Sequence, residues 1–432
     1  MLKDNQGLEV TTKSPEAIAA IDKFIEQSLS YGNNPLIILQ AIEADPTCAL
    51  AYAHAAAHYL SLETAIAWEQ AKPYLQGAKK YKDKTTEREQ LYITGIEAWG
   101  EKDIKKAIAC HEEIGDKYPQ DIASVQLAQY HYFYQGNQKG LLNIAQKVLP
   151  ANQNHHFLYG MIAFAYEQCH QLELAETLGR KATEINPKDS WAHHAVAHVM
   201  ETQGRFQEGI QWMEKLSPFW ENCNTMLYTH NWWHIALYYL AKQDINKVLE
   251  LYDNHIWGRA WKESCKDQIG AISLLLRLEL REVNVGTRWQ QLANYLVPRI
   301  HEHALPFQDL HYVYALAKAG KNDLVTEMLN SMESHVNLIK PYLQKTWIEI
   351  VIPAARGLIA HANQNWTTTI NQLQPILHRL YQIGGSHAQR DLFEEIYLDA
   401  WLRNETNFKS LELLAKRFES KRYIPVFSSK LP

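Results

Sequence analysis

Three histidine pairs in the chain are spaced four residues apart: His54 and His58, His194 and His198, His230 and His234. On a helix that spacing stacks two imidazoles on one face, which is how a helix offers two ligands to one metal ion. If neighbouring helices carry the second and third pairs, His194, His198, His230 and His234 could converge on a single divalent ion. Zn or Fe suits imidazole and carboxylate ligands, and nothing in the pattern chooses between them. Asp267 precedes one later helical run, and Asp309 and His311 open another. Either carboxylate could complete the coordination sphere or act as a base. No HExxH is present, which excludes the helical zinc-protease arrangement. The plainer alternative is that neutral imidazoles hydrogen-bond one another or a ligand carboxylate. His54 and His58 read as a structural or solvated pair, and His301 and His303 in HEHA as facing solvent.

A second constellation is GGSHAQRDLF, from Gly384 to Phe393. Ser386 followed by Gln389 is a capping box, so a helix is predicted to begin there, with two glycines allowing a tight entry. A helix N-terminus with Arg390 beside it is a ready anion site. The alternative is a well-capped helix in which Arg390 pairs with Glu394 at i+4. Of thirteen tryptophans, most should fill gaps between stacked helices, while Trp233, beside His230, is a candidate pocket wall. The five cysteines read as small buried hydrophobes, none in a nucleophile arrangement. There is no Gly-rich phosphate loop, Rossmann fingerprint or GxSxG elbow.

The elements that must position these groups repeat. From His156 to Asp189 the chain reads as one helix-turn-helix unit, with Tyr159, Ala163 and Tyr166 on one helix face, Ala175 and Ala182 on the next, and Pro187 as the stop. A shift of 34 residues returns the pattern: Ala163 maps to Ala197, His170 in the turn to Gly204 or back to Gly136, and Ala175 to Gly209. Pro119 lies two periods before Pro187, and its unit has Gly95, Ala98 and Ala107 at the matching places. Small residues let helices approach within about 8–10 Å, and the turn needs a backbone angle that Gly tolerates and His170 tolerates less well. These are the features of tetratricopeptide repeats.

The expectation is an all-α, tetratricopeptide-like helical-repeat solenoid over residues 1–432. Agreement is best at 88–216, with degenerate helix pairs at 15–87 and 225–420 and an irregular tail at 421–432. GTRWQQLANYLVPRIHEH is predicted to be one helix ending near Pro298, and no strand-turn-strand segment is expected. A solenoid that curled into a closed superhelix would bring 384–391 over the histidine helices.

Net charge is −5 and the pI is near 6.5, which gives no chain-wide basic surface and argues against nucleic-acid binding. No apolar run approaches the ~20 residues of a membrane-spanning helix, and MLKDNQGLEV lacks a signal-peptide pattern. An odd number of cysteines without any CxxC fits reduced thiols in a cytoplasmic protein.

Several strings together carry a family resemblance: HHAVAHVMETQGRFQEGIQWM, HNWWHIAL, LYDNHI, SLLLRLEL, VGTRWQQLA, DLHYVYALAKAG and GGSHAQRDLF. In this order, across roughly residues 45 to 405, the chain resembles the tetratricopeptide repeat protein 38 family. The resemblance implies a common polar pocket involving His194, His198, His230, His234, Asp309, His311, Gln389, Arg390 and Asp391, with His387 in the same string. It implies no substrate or reaction.

Two functions follow as expectations. One is a binding module that holds a small molecule, peptide or protein in a concave groove lined by His, Trp and Arg. The groove positions are His-rich rather than rich in Lys, Arg and Asn, which argues against a simple carboxylate clamp. The other is a metal-dependent enzyme acting on a small anionic substrate, with Arg390 holding the anion. The oligomeric state is not legible.

Overall fold

A computed structural model describes residues 1–404; the remainder of the predicted last helix pair and the irregular tail lie outside the described residues. Twenty-two α-helices follow one another among the described residues, most of them in antiparallel pairs. The pairs share one turn chemistry. A single residue adopts a left-handed backbone between the two helices: Glu63, Lys102, Gly136, His170, Gly204, Gln243, Glu282, Gly320 and Gln364, with φ from 57° to 72°. In several turns the next residue caps the second helix with its side chain. Asp103 accepts from the Lys106 N–H, Asn137 from Gly140, Asp244 from Lys247 and Asn365 from Thr368. A left-handed residue followed by an Asx cap both reverses the chain and satisfies an orphan donor of the new helix. His170 takes its turn angle at φ 57° without being glycine, as the register requires.

The turns from Lys102 to Gly204 are 34 residues apart, while those after Gly204 are 38 to 44 apart. The extra length sits in irregular segments after second helices: a 3-10 run at Ser217–Asn222, a π turn at Tyr252–Ile256 and a 3-10 turn at Val297–Arg299. The segment predicted as one helix to Pro298 therefore divides. Its helix is Arg288–Ala293, and Pro298 lies within the following 3-10 turn, where its missing N–H does no harm. A short antiparallel pair, Leu2–Lys3 with Glu9–Val10, corrects the expectation of no strands. Asp4 closes it by accepting from the Gln6 and Leu8 N–H groups, and two residues per strand are too few to show alternation in sequence.

The helices group into two compact units. The first comprises Met1–Phe133, Asn137–Val196 and Phe219–Leu227. The second comprises Tyr134–Gly136, Ala197–Pro218 and the residues from Tyr228 onward.

In the first unit the small residues named by the register are buried (Ala98, Ala107, Ala163, Ala175, Ala182), and a methyl group on Gly95 would stand 3.3 Å from His111. The same interior holds polar groups. His54 Nδ1 meets the Tyr92 hydroxyl at 2.9 Å, and His111 Nδ1 meets that of Ser124 at 2.8 Å. Burial pushes His54 down to about 3 and His111 to about 4, so both are neutral at pH 7. Arg88 and Asp121 form a buried pair at 2.8 Å.

In the second unit Gly209 receives the Tyr238 ring so closely that a Cβ would lie 2.5 Å from Cζ, and the Tyr238 hydroxyl donates to the Ala197 carbonyl at 2.7 Å. The helix Cys265–Leu280 is buried along nearly its whole length. Among the described residues no helix is long and apolar enough to cross a membrane.

Candidate functional site

Within the second unit, the last turns of the helix Ser190–Thr202 present His198, and the helix Thr225–Ala241, from Tyr228 on, presents His230 and His234. The candidate ligand atoms of these three rings all lie within 4.8 Å of one another. The His198 and His234 ring centroids are 4.4 Å apart and those of His230 and His234 are 4.9 Å apart, both edge-on. Desolvation, and then the neighbouring imidazoles, push His198 and His230 well below the ordinary histidine range. Neutral rings of this kind offer lone pairs, which is the form in which histidine binds metal. His194 stands one turn before His198 on its helix and is buried beside Trp191, with ring centroids 4.5 Å apart.

Glu201, three residues after His198, was not legible as part of this group. Its Oε2 lies 3.0 Å from His234 Nδ1. A carboxylate there accepts a hydrogen bond from Nδ1–H and leaves Nε2 with its lone pair free to bind, the arrangement that orients metal-binding histidines.

Trp233 stacks on His230, with centroids 5.2 Å apart and planes 10° from parallel. Arg277 also lies over the Trp233 ring, its guanidinium carbon 5.4 Å from the ring centroid. Arg277 is buried, donates to Ser273 Oγ at 2.5 Å and reaches the Ala388 carbonyl at 2.6 Å. It thereby ties the start of the helix His387–Asn404 to the aromatic wall of the histidine cluster. The sequence signal was available: one Arg inside the apolar run SLLLRLEL can be buried only if its donors are used. His387, at the start of that helix, is close enough to add to the downward shift of His198.

The GGSHAQRD segment has the predicted cap. The Ser386 N–H donates to Gln389 Oε1 at 2.9 Å, and the Gln389 N–H donates to Ser386 Oγ at 3.3 Å. Gly384 and Gly385 have φ 84° and 85°. Arg390 donates to the Gly385 carbonyl and approaches His387 Nδ1 at 3.4 Å, so its guanidinium serves to hold the turn. Asp391 follows the first turn of the helix.

The remaining candidates have other partners. His311 is buried, its Nδ1 2.7 Å from the Phe307 carbonyl, and burial with Arg277 nearby pushes it down to about 4. Asp267 accepts from the Thr229 hydroxyl at 2.6 Å. Asp309 receives His303 Nδ1 at 2.9 Å. His303 is buried, against the expectation that HEHA faces solvent; only His301 does so. A polar cleft that the sequence did not suggest is lined by Tyr314, His361 and Asp399, with His361 Nδ1 3.2 Å from the Tyr314 hydroxyl and Nε2 3.1 Å from Asp399. His54, of the first pair, lies in the first unit's core, as the structural reading of that pair had it.

No family model matches the chain. Among solved structures it is similar to a Rap protein complexed with competence and sporulation factor, at 12% identity over 93% of this chain and 100% of that one, with a TM-score of 0.43. It is similar to the human IFIT1 dimer with m7Gppp-AAAA at 13% identity, over 97% and 94% of the two chains, with a TM-score of 0.43. For yeast Tom70 the identity is 12%, the coverage 84% and 90%, and the TM-score 0.38. Likenesses at this distance carry nothing about ligand or activity, and the tetratricopeptide-like assignment rests on the chain's own paired helices and left-handed turns.

Proposed function

We propose that this chain is a ligand-binding helical-repeat protein of the tetratricopeptide repeat protein 38 kind, and that His198, His230 and His234 hold a divalent transition ion. The observation that carries the proposal is the convergence of the three imidazoles, whose candidate ligand atoms lie within 4.8 Å of one another, with Glu201 3.0 Å behind His234 at Nδ1 as carboxylates often stand behind ligating imidazoles. Zn or Fe suits the imidazole set. The ion, with Trp233 as a wall, would receive a small molecule or a peptide group, not a nucleic acid. A cytoplasmic setting is consistent with cysteines that form no disulfide among the described residues.

A second reading, a metal-dependent enzyme acting on a small anionic substrate, is favoured by Arg277. This buried cation lies over the indole that stacks on His230, where it would attract negative charge toward a Lewis-acidic ion. On this reading His387, close enough to act on His198, is the pocket candidate nearest the cluster, with Gln389, Arg390 and Asp391 following it on the same helix.

Elemental analysis of protein purified without a polyhistidine tag or added metal tests both readings. About one equivalent of Zn or Fe in the parent chain, absent from a His230→Ala, His234→Ala variant of unchanged helicity, is expected. No metal after reconstitution with either ion would overturn them.

A further inference from the structure

Away from the histidine cluster, three short stretches of the second unit meet at one hydroxyl. The helix Pro306–Lys318 and the helix Asn322–His335 form a pair turned at Gly320, and the loop at 301–303 precedes the first of them. Asp309 Oδ2 lies 2.9 Å from His303 Nδ1, and His303 Nε2 lies 2.8 Å from Ser331 Oγ. On the far side of the same oxygen, His301 Nδ1 lies 2.9 Å away, and its Nε2 is 2.9 Å from Glu327 Oε1. Asp309 and His303 are buried, Ser331 is half-buried and His301 is exposed. The hydroxyl thus stands between the buried acid–imidazole pair and the exposed ring of His301.

A serine hydroxyl has one hydrogen, so it can donate to only one of the two rings. Asp309 accepts the Nδ1 proton of His303, which makes His303 Nε2 the acceptor of the Ser331 O–H. Glu327 accepts the Nε2–H of His301, so His301 presents an Nδ1–H to the same oxygen as the imidazolium, with both ring nitrogens donating. An acid, an imidazole and a hydroxyl joined through Nδ1 and Nε2 in this order form the connectivity of a serine nucleophile, recognised by geometry and not by position in the chain. His303 is held at φ 45°, a left-handed backbone that costs a residue with a side chain of order 1–3 kcal/mol and that clusters at functional sites. The Trp347 ring stands edge-on to it at 6.0 Å.

We infer that Ser331 is a nucleophile for acyl transfer, with His303 as its general base and Asp309 as the residue that orients His303. The Ser331 O–H bond breaks with its proton passing to His303 Nε2, and Oγ forms a bond to the acyl carbon of an ester. The ester C–O bond breaks, and the leaving alkoxide takes the proton from His303. Water then adds to the acyl-serine and gives its proton to His303; the acid departs as Ser331 recovers its hydrogen. Because Ser331 lies inside a helix, backbone N–H groups beside it are used by the helix, and the developing oxyanion falls to the Nδ1–H of His301. With that one donor the substrates are esters with good leaving groups, such as aryl esters.

The test uses the full chain and a fluorophosphonate probe, which transfers its phosphorus to an activated serine with loss of fluoride. Stoichiometric labelling mapped by mass spectrometry to the peptide containing Ser331 is expected, with the same rate in the presence of a chelator. Ser331→Ala should abolish it, His303→Gln should slow it at least a hundredfold, and exposed His301→Ala about tenfold. Asp309→Asn should slow it with a wrong-tautomer signature: a loss in rate with little change in probe affinity. No label on the parent chain, or a label unchanged by Ser331→Ala, overturns the inference. Mapping on the parent chain decides the matter even if a variant fails to fold.

Discussion

Glu201 Oε2 stands 3.0 Å from His234 Nδ1, with Glu201 on the same helix as His198 and His234 on the next. One carboxylate thus links the two helices that supply the candidate ligands, and it acts on a ring atom that faces away from any ion held at Nε2.

Glu201→Gln should weaken Zn binding tenfold to a hundredfold, the usual consequence of losing a carboxylate behind a ligating imidazole, with no change in helicity. His234→Ala should remove binding entirely. Titration calorimetry with ZnCl2 on both variants checks this, and equal affinity in Glu201→Gln and the parent chain would remove the carboxylate from the site.

Acid should destabilise the first unit early. His54 faces the Tyr92 hydroxyl and feels Asp121 and Arg88; His111 faces Ser124 and feels Asp121; burial outweighs the acid in both. Their folded values of about 3 and about 4 lie below the ordinary 6.5, so between those limits the unfolded chain binds protons that the folded chain does not. Stability is full above pH 6.5 and falls as the pH drops toward 4, by up to about 1.4 kcal/mol per pH unit for each ring. Urea midpoints measured from pH 7.5 to 4.5 should fall through that window, and the slope should shallow in His111→Asn.

Breaking the Arg88–Asp121 pair should cost about 3–5 kcal/mol, because either partner alone is a buried unpaired charge. Asp121→Asn and Arg88→Met should each lower the denaturant midpoint, and the double variant should recover part of the loss. Additive losses would show that the two residues do not act as a pair.

Gly385→Ala should destabilise the start of the helix His387–Asn404. The backbone there is left-handed, and the added methyl would lie 2.7 Å from the Phe307 ring. A cost of about 1–3 kcal/mol is expected from overpacking with strain. Hydrogen exchange should report the damage first at residues 386–393.

The readable part of this fold is the part where packing enforces a period. Between Lys102 and Gly204, alanines and glycines fall at matching places because each helix pair needs the same close approach, and even the exception, His170, could be assigned to a turn. After Gly204 the period drifts. A π turn such as Tyr252–Ile256 or Trp347–Val351 inserts residues into a helix and rotates everything after it, so a fixed shift no longer superimposes inward faces. Of the site, His198, His230 and His234 were legible because four residues is a local distance on a helix. Ser331 and His303 were not, since 28 residues and a chain reversal separate them and neither belongs to a motif. Asp309 is conspicuous by its chemistry, but its partner in space, His303, sits in the string HEHA, which reads as solvent-facing.

The left-handed turns carry one more consequence, for engineering. Glu63, Lys102, His170, Gln243, Glu282 and Gln364 occupy a backbone that Gly136, Gly204 and Gly320 adopt without strain. Apart from Glu63, which is buried and accepts from the Tyr130 hydroxyl, exchanging one of these for glycine should return about 0.5–1 kcal/mol after the entropy of the more flexible unfolded chain is subtracted. The positions lie in separate helix pairs, so such gains should accumulate instead of competing. The chain therefore holds a reserve of thermostability at its reversals that can be drawn on without touching the histidine cluster or Ser331.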